Sequence, residues 1–306
     1  MKAYFIINPS SGKQNILSTI ETLIGKLIMK QFVHTVDVFY TKKKDDAKNA
    51  AMAVKEGEYD FIVSVGGDGT LNEVIDGVIR GGCHTPIAVI SAGTVNDFAN
   101  ILELPQEPDA FCDMIEYFQP LTVDAGKVGD HYFINVVAAG LLTDIGYKVP
   151  KESKAILGKL AYYLEGAKDL PLALLQNLNL RLESEEYTKD VECMLFLVTN
   201  SQSVGGFKKM VVPASVADGM LDVIVIRKVD FAQVTPLLLM LLSGKHIDHP
   251  CVDYFQTKHL KVTSLDDKDI TVDFDGEYYG NLPIEISVVP GTVKILVPST
   301  IEPDEV

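Results

Sequence analysis

Apolar positions along the first hundred residues alternate between two rhythms. Residues 3–7 form a short unbroken apolar run that stops at Asn8-Pro9-Ser10-Ser11-Gly12, as a buried strand does on entering a turn. Residues 16–29 switch to helical spacing, with Ile16, Ile20, Leu23, Ile24, Leu27 and Ile28 on one face. A second strand is expected over 35–40. A helix over 45–55 turns Ala47, Ala50, Ala51 and Val54 inward, and a third strand over 61–65 ends at Gly66-Gly67. A helix over 71–79 and a strand over 87–90 follow. Strands separated by such helices imply a parallel sheet with right-handed crossovers. Parallel sheets bind ligands at the carboxyl ends of their strands, which directs attention to the loops after the first, third and fourth.

From about residue 120 the pattern changes to many short strands: 121–128, 132–138, 178–182, 194–199, 221–226, 259–264, 270–274, 284–288 and 292–297. Helical spacing returns only over 155–169 and 231–242. The expected fold class is therefore α/β plus all-β: a parallel-sheet α/β domain and a second, mainly antiparallel domain, a β-sandwich or flattened barrel. The expected division is 1–124 and 125–289, with the segment from about 290 to 306 returning to the first domain. No Gly/Ser-rich linker marks the boundary, so the two domains are expected to pack tightly. The acidic tail 301–306 is expected to fray.

Composition narrows the classes. The 306 residues are 47% hydrophobic and 23% charged, which excludes a disordered chain. The longest purely aliphatic run, 237–242, falls short of the roughly 20 residues a membrane helix needs, and reads as a buried helix started by Pro236. The apolar run at the N-terminus is too short for a signal peptide, so the expected compartment is the cytoplasm. Cys83, Cys112, Cys193 and Cys251 form no CxxC pair and fit reduced, mostly buried thiols. With 42 acidic against 27 basic residues the net charge is −15, which opposes nucleic-acid binding. Arginine is confined to Arg80, Arg181 and Arg227. Any phosphate handled here must rely on backbone N–H groups, lysine or a metal rather than on bidentate Arg clamps.

Candidate chemistry concentrates in three loops. A buried strand opens into Gly66-Gly67-Asp68-Gly69-Thr70, whose glycines let a ligand approach the backbone and whose Thr70 is placed to cap the following helix. A carboxylate at Asp68 would repel a phosphate unless a cation lay between them, which points to Mg²⁺. A tight strand-to-helix turn with an Asp cap is the plainer alternative. The next strand ends in a second such loop, Gly93-Thr94-Val95-Asn96-Asp97, and the first supplies Ser11-Gly12-Lys13. Neither GxxxxGK[ST] nor GxGxxG is present. Asp273, Asp275 and Glu277 can share one strand face, although Asp275-Gly276 is equally a hairpin signal. Lys13 suits a phosphate contact or a solvated surface, and Asp124 suits a site or a turn. Lys42-Lys43-Lys44 reads as a solvated loop leading into a helix, and His246/His249 lacks a third zinc ligand.

These motifs carry a resemblance. Asn8-Pro9, Ser11-Gly12-Lys13, Gly66–Glu73, Gly93–Ala99, Val123-Asp124-Ala125-Gly126, Phe133-Ile134-Asn135, Gly205-Gly206-Phe207, Pro213 to Asp222 and Asp275-Gly276-Glu277 together resemble the diacylglycerol kinase catalytic-domain superfamily, which includes bacterial soluble lipid kinases and sphingosine kinases. NAD kinases share the first loops more distantly. The resemblance implies an ATP- and Mg²⁺-dependent kinase that phosphorylates a lipid hydroxyl, most readily that of diacylglycerol. The alternatives are a kinase for another lipid, a soluble-substrate kinase of the NAD type, and a non-catalytic ATP-binding regulator.

Carried over position by position, it implies ATP contacts from Asn8, Ser10, Ser11, Gly12, Lys13, Thr41, Gly66, Gly67, Asp68, Gly69, Thr70, Leu71, Asn72 and Thr94. Asp68, Asp97 and Asp124 would form a linked acidic network, with Asp68 and Asp97 holding the catalytic Mg²⁺ partly through water. Glu277 would be the base, and Ser215, Asp218 and Met220 would hold a structural Mg²⁺. It also implies transient contact with the inner membrane face and admits a homodimer. Two features depart from the family pattern: Glu165 stands where a lysine is usual, and residues 14–24 lack any basic residue.

Overall fold

The computed structural model describes residues 1–11, 16–140, 177–229, 231–266, 269–275 and 277–302. Elements are numbered over these residues. The first part runs β1 (Lys2–Ile7), α1 (Ile16–Met29), β2 (Thr35–Tyr40), α2 (Asp46–Met52), β3 (Phe61–Gly66), α3 (Asp68–Gly81) and β4 (Ile87–Ser91). The four strands pair in parallel in the order β2-β1-β3-β4, with Ala3 opposite Phe61 and Ile62 opposite Ile87. Every residue of β3 is buried, as expected of a central parallel strand covered on both faces.

Two helices follow that the periodicity reading did not anticipate, α4 (Asp97–Ile101) and α5 (Pro108–Tyr117). Pro108 starts α5, where its missing N–H costs nothing, and Phe111, Cys112, Met114 and Ile115 form the buried stripe. Cys83, Cys112 and Cys193 are buried and all four thiols are free.

The remaining strands are β5 (Gln119–Val128), β6 (His131–Phe133), β7 (Val136–Gly140), β8 (Leu178–Glu183), β9 (Thr188–Thr199), β10 (Leu221–Arg227), β11 (Val252–Thr257), β12 (His259–Ser264), β13 (Thr271–Phe274), β14 (Glu277–Asn281) and β15 (Ile284–Val297). Among the described residues one α-helix, α6 (Phe231–Ser243), lies between them, followed by a 3-10 turn at His246–Asp248. Pairing is antiparallel except where β15 meets β4. The strand expected over 132–138 is split at Ile134-Asn135. Those expected over 284–288 and 292–297 are one strand with a bulge. Pro236 lies inside α6, not at its start. The helix expected over 155–169, with Glu165, lies outside the described residues.

Two cores sit on either side of a shared ladder. Phe5, Val63, Ile75, Phe98 and Leu121 anchor the first, joined by Val293, Ile295, Leu296 and Val297 of β15. Phe133, Phe196, Val223, Leu260 and Ile286 anchor the second. A smaller third cluster packs Phe207, Met210 and Val211 against Leu237 and Leu241 of α6. The β5–β15 ladder runs through both main cores, and its register shifts between Val289 and Val293, where Gly291 takes a φ of 61°. Among the described residues no helix is long and apolar enough to cross a membrane.

Helices α2 and α3 meet at glycine. A Cβ added at Gly77 would stand 2.3 Å from the Lys48 carbonyl oxygen and 2.8 Å from Ala51 Cβ. Gly77→Ala is therefore expected to cost about 2 kcal/mol through overpacking, read from urea unfolding. Gly25 in α1 has no atom within 4 Å of its added Cβ. Gly25→Ala should instead stabilise by roughly 0.5–1 kcal/mol, since it gains helix propensity without a clash. Equal effects of the two substitutions would refute this packing account.

Candidate active site

The loop after β1 is tied to the first turn of α3. Asn8 donates from its backbone to the Val65 carbonyl at 2.9 Å and from Nδ2 to Thr70 Oγ1 at 3.0 Å. Asn8 Oδ1 accepts from the Ser10 N–H at 3.1 Å and from the Ser10 hydroxyl at 2.7 Å. Thr70 is thus not the cap of α3. That position belongs to Gly67, and the helix starts at Asp68, three residues before the expected 71. A Cβ at Gly66 would collide with Thr70 Oγ1 at 2.4 Å, so glycine is required there for the turn to close. Leu71 faces the core and is 3% exposed, so only its backbone borders the loop. Gly12 and Lys13 lie outside the described residues.

The second Gly-Thr loop lies against the first. Ala92 donates to the Gly66 carbonyl at 2.7 Å, and a Cβ on Gly93 would stand 2.7 Å from Gly67 Cα. Asn96 takes a φ of 54° and bonds the Gly93 carbonyl through Nδ2 at 2.9 Å. Thr94 is exposed at the rim. Thr41, half-buried, extends the strand edge by donating to the Ile7 carbonyl at 2.9 Å. Convergence of the three loops follows from the adjacency of β1, β3 and β4 in the parallel sheet.

The acidic residues do something the sequence did not disclose: each binds backbone N–H groups of another segment. The backbone N–H groups of Asn96, Asp97 and Phe98 at the start of α4 are turned toward the Asp68 carboxylate and favour its charged form. Asp97 accepts from the Ser203 hydroxyl at 2.5 Å and from the Gly206 N–H at 3.0 Å, which joins the first half to the second. Asp124 lies inside β5 and not in a turn. Its Oδ1 takes the Gly291 N–H left over by the β15 bulge at 2.7 Å, and its Oδ2 takes the Gly219 N–H at 2.6 Å. Glu73 accepts from Asp45, Ala47 and Lys48 at the start of α2. Asp275 accepts from Ile134, Asn135 and Val136 at 2.8–3.1 Å, which is why the strand expected over 132–138 breaks there.

Asp275, with a φ of 46°, lies between β13 and β14. The Asp273–Asp275–Glu277 stretch is consequently a hairpin and not one strand face. The Glu277 side chain lies outside the described residues. The hairpin lines a cleft of about 250 Å³ together with the first turns of α3. Gly69, Asn72 and Glu73 line one wall, Lys44 and Lys48 the entrance, and Asp275, Tyr278 and Tyr279 the other wall. Asn72 Oδ1 is buried without a partner and free to accept from a ligand. Gly69 has open space before it at the helix N-terminus, where backbone N–H groups have no intrahelical partner. These features suit a nucleotide. The three arginines each face a carboxylate instead: Arg80–Asp76 at 2.6 Å, Arg181–Asp190 at 2.7 Å and Arg227–Asp253 at 3.4 Å.

Charge at the cleft is under-compensated. Burial pushes the Asp68 carboxyl above the usual range, and the nearby charge of Asp97 adds to this. Burial likewise raises Asp97 against the hydrogen bonds it accepts. Asp275 is pushed up to about 7, first by burial and also by the charge of Asp68. Among the described residues no three His, Cys, Asp or Glu side chains gather as a preformed metal cluster. Mg²⁺ usually takes only one or two carboxylates and completes its shell with phosphate and water, so crowded charge at Asp68 and Asp275 fits it. Ser215, Asp218 and Met220 form a separate oxygen-bearing loop. Asp218 is exposed and accepts from the Met220 N–H at 2.9 Å and from Gln256 Nε2 at 3.1 Å.

These shifts set a pH dependence. A carboxyl whose folded-state pKa lies above its unfolded value holds its proton more tightly when folded. Its stabilising contribution is present at low pH and lost as the pH rises through the interval. For Asp275 that interval runs from 3.8 to about 7. Asp68→Asn removes a charge facing Asp275. The metal-free variant is therefore expected to lose less stability than the wild-type chain between about pH 5 and about pH 8. Urea midpoints at the two pH values check this, and equal losses would refute it.

Both halves of the molecule find counterparts among known proteins. The model of the diacylglycerol kinase catalytic domain matches residues 2–128, and that of the YegS C-terminal NAD kinase beta sandwich-like domain matches 135–297. A diacylglycerol kinase of Staphylococcus saprophyticus is 34% identical over 305 residues, covering 100% of this chain and 98% of its own. One from Staphylococcus epidermidis is 33% identical over 304 residues, covering 99% and 94%. A crystal structure of a diacylglycerol kinase from Bacillus anthracis superposes with a TM-score of 0.76 at 19% identity, covering 98% of both chains. The likeness extends across both cores and the ladder that joins them, and the chain belongs to the diacylglycerol kinase family.

Proposed function

We propose that this chain is a lipid kinase that transfers the γ-phosphate of ATP to the hydroxyl of diacylglycerol, giving phosphatidic acid, a precursor for phospholipid synthesis. The observation that carries the reading is that Asp275 and Tyr278 of the β13–β14 hairpin line one cleft with Gly69 and Asn72 at the start of α3. In this reading residues 1–124, with the segment from about 290 onward, hold ATP, and residues 125–289 present the lipid. The phosphates lie along the loops at Asn8 to Lys13, Gly66 to Asn72 and Thr94, with Thr41 at the strand edge. Backbone N–H groups at the start of α3 receive them, since no arginine is directed there. Asp68 is the first carboxylate toward a bound Mg²⁺, with Asp97 behind it, and Mg²⁺ would neutralise charge on the transferring group. Glu277 accepts the proton of the lipid hydroxyl as its oxygen bonds to the γ-phosphorus. The bond to the β–γ bridging oxygen breaks and ADP leaves.

Ser203 and Gly206 keep Asp97 oriented, and Asp275 holds the base hairpin against residues 134–136. Asp218 with Ser215 and Met220 suits a structural Mg²⁺ on the second half. The enzyme acts in the cytoplasm, meets its substrate at the membrane surface, and a homodimer is compatible with this arrangement. Incubation with ATP, Mg²⁺ and a mixed lipid extract, followed by mass spectrometry, tests the proposal. Phosphatidic acid is the expected product. ATP binding without any phosphorylated lipid would leave a nucleotide-binding regulator, and another phosphorylated lipid would replace the acceptor.

A further inference from the structure

Two segments of the second half depart from the acidic character of the chain. Residues 203–217 and 231–247 contain Lys208, Lys209 and Lys245 and no aspartate or glutamate, in a protein with 42 acidic residues among 306. The segments are neighbours in space. Phe207, Met210 and Val211 pack with Leu237 and Leu241 in the third cluster. A Cβ on Gly244 would stand 3.0 Å from Lys209 Cβ and 3.1 Å from Val212 Cγ2.

Among the described side chains, what the two segments leave outward is apolar, basic or, at Gln233 and Ser243, polar and uncharged. Val212 is 47% exposed and Leu239 57%, with Pro236 and the three lysines exposed around them. Helix α6 carries no charged residue along its length. A surface helix ordinarily turns a charged face to water, and this one turns Gln233, Pro236, Leu239 and Ser243, none of them charged. Exposed apolar side chains rimmed by lysine are the composition of a surface that enters the headgroup layer.

We propose that this face docks on an anionic lipid surface. Charge complementarity selects the occupant. The chain as a whole carries −15, whereas the charged side chains within these two segments are Lys208, Lys209 and Lys245, with Asp218 and Asp248 exposed just past their ends. Its position also serves the reaction: Ser203 and Gly206, which hold the Asp97 carboxylate, lead directly into Phe207–Val212. The choice of a membrane as partner rests on the lipid-kinase reading.

Co-sedimentation with neutral phosphatidylcholine vesicles, and with vesicles that also carry about 30 mol % phosphatidylglycerol, reads the docking directly. The wild-type chain is expected on the anionic vesicles and not on the neutral ones. Lys208→Ala combined with Lys209→Ala should lower partitioning about 25-fold, and Leu239→Gln several-fold alone. All these side chains are exposed, so thermal midpoints should match the wild type. Turnover of a short-chain diacylglycerol dispersed below its aggregation limit should also be unchanged. Wild-type partitioning in the variants would overturn the proposal. So would equal loss of short-chain turnover, which would place the lysines in the reaction site. A dimer-to-monomer change in light scattering would assign the face to a second copy and also overturn it. Vesicle binding by a wild-type chain that phosphorylates no lipid would support docking while removing the kinase reading, so the two failures are distinct.

Discussion

Glu277→Gln is expected to slow phosphate transfer by about 10³-fold while leaving ATP affinity within about twofold. The substitution keeps the size of the side chain. Its backbone position is fixed independently, because Glu277 pairs with Phe274 in the β13–β14 hairpin and Asp275 anchors that hairpin through three N–H groups. On the proposed mechanism, what is lost is the proton acceptor. The wild-type rate should rise with pH until the carboxyl is ionised, whereas the residual rate of the variant should be flat there. Asp68→Asn is expected to lower the rate comparably, with a higher requirement for Mg²⁺. Steady-state kinetics across pH and Mg²⁺ concentration reads both effects. A Glu277→Gln rate within threefold of wild type would remove Glu277 from the base role.

Asp124→Ala is expected to cost about 3 kcal/mol or more of unfolding free energy. Asp124 is 2% exposed, and its two oxygens are the partners of the Gly219 and Gly291 N–H groups. Truncation removes two charge-assisted bonds and leaves the half-buried Gly219 N–H without its carboxylate, while at the exposed Gly291 water replaces part of the loss. Asp124→Asn retains one good acceptor and should fall between alanine and wild type. Asp218→Ala is the control: its carboxylate is exposed, and in the absence of metal its loss should stay within about 0.5 kcal/mol. Urea unfolding of the three variants without Mg²⁺ decides it. A cost below about 1 kcal/mol for Asp124→Ala would mean the carboxylate is not the fastening that its contacts describe.

The α/β half was legible because its signal is strong. β3 is an unbroken apolar run between polar segments, and α1 repeats its apolar residues at helical spacing. Helix α5 was also written in the chain, as Pro108 followed by the stripe from Phe111 to Ile115, but its neighbours drew attention first. β11 and β14 were not legible. In Val252–Thr257 only the ends are buried, and Glu277–Asn281 has no apolar alternation at all. At the site, the loops and the identity of the acids could be read, but their connections could not. Asp97 reaches Gly206, Asp124 reaches Gly219 and Gly291, and Asp275 reaches Val136, each across 95 or more residues. Their partners are backbone N–H groups, which every residue but proline carries, so no side-chain pattern marks them. The sequence also suggested a break at Pro290-Gly291, where the structure has a bulge inside one continuous strand.

That continuous strand bears on how the protein is made. β15 completes the edge of β4 and contributes Val293, Ile295, Leu296 and Val297 to the first core. Domains generally fold in the order in which they leave the ribosome. Here the first half cannot close its sheet until residues near 297 have emerged, after most of the second half has been synthesised. The two halves must therefore finish folding together. Until then the open side of β4 is the part of the nascent chain with most need of a chaperone.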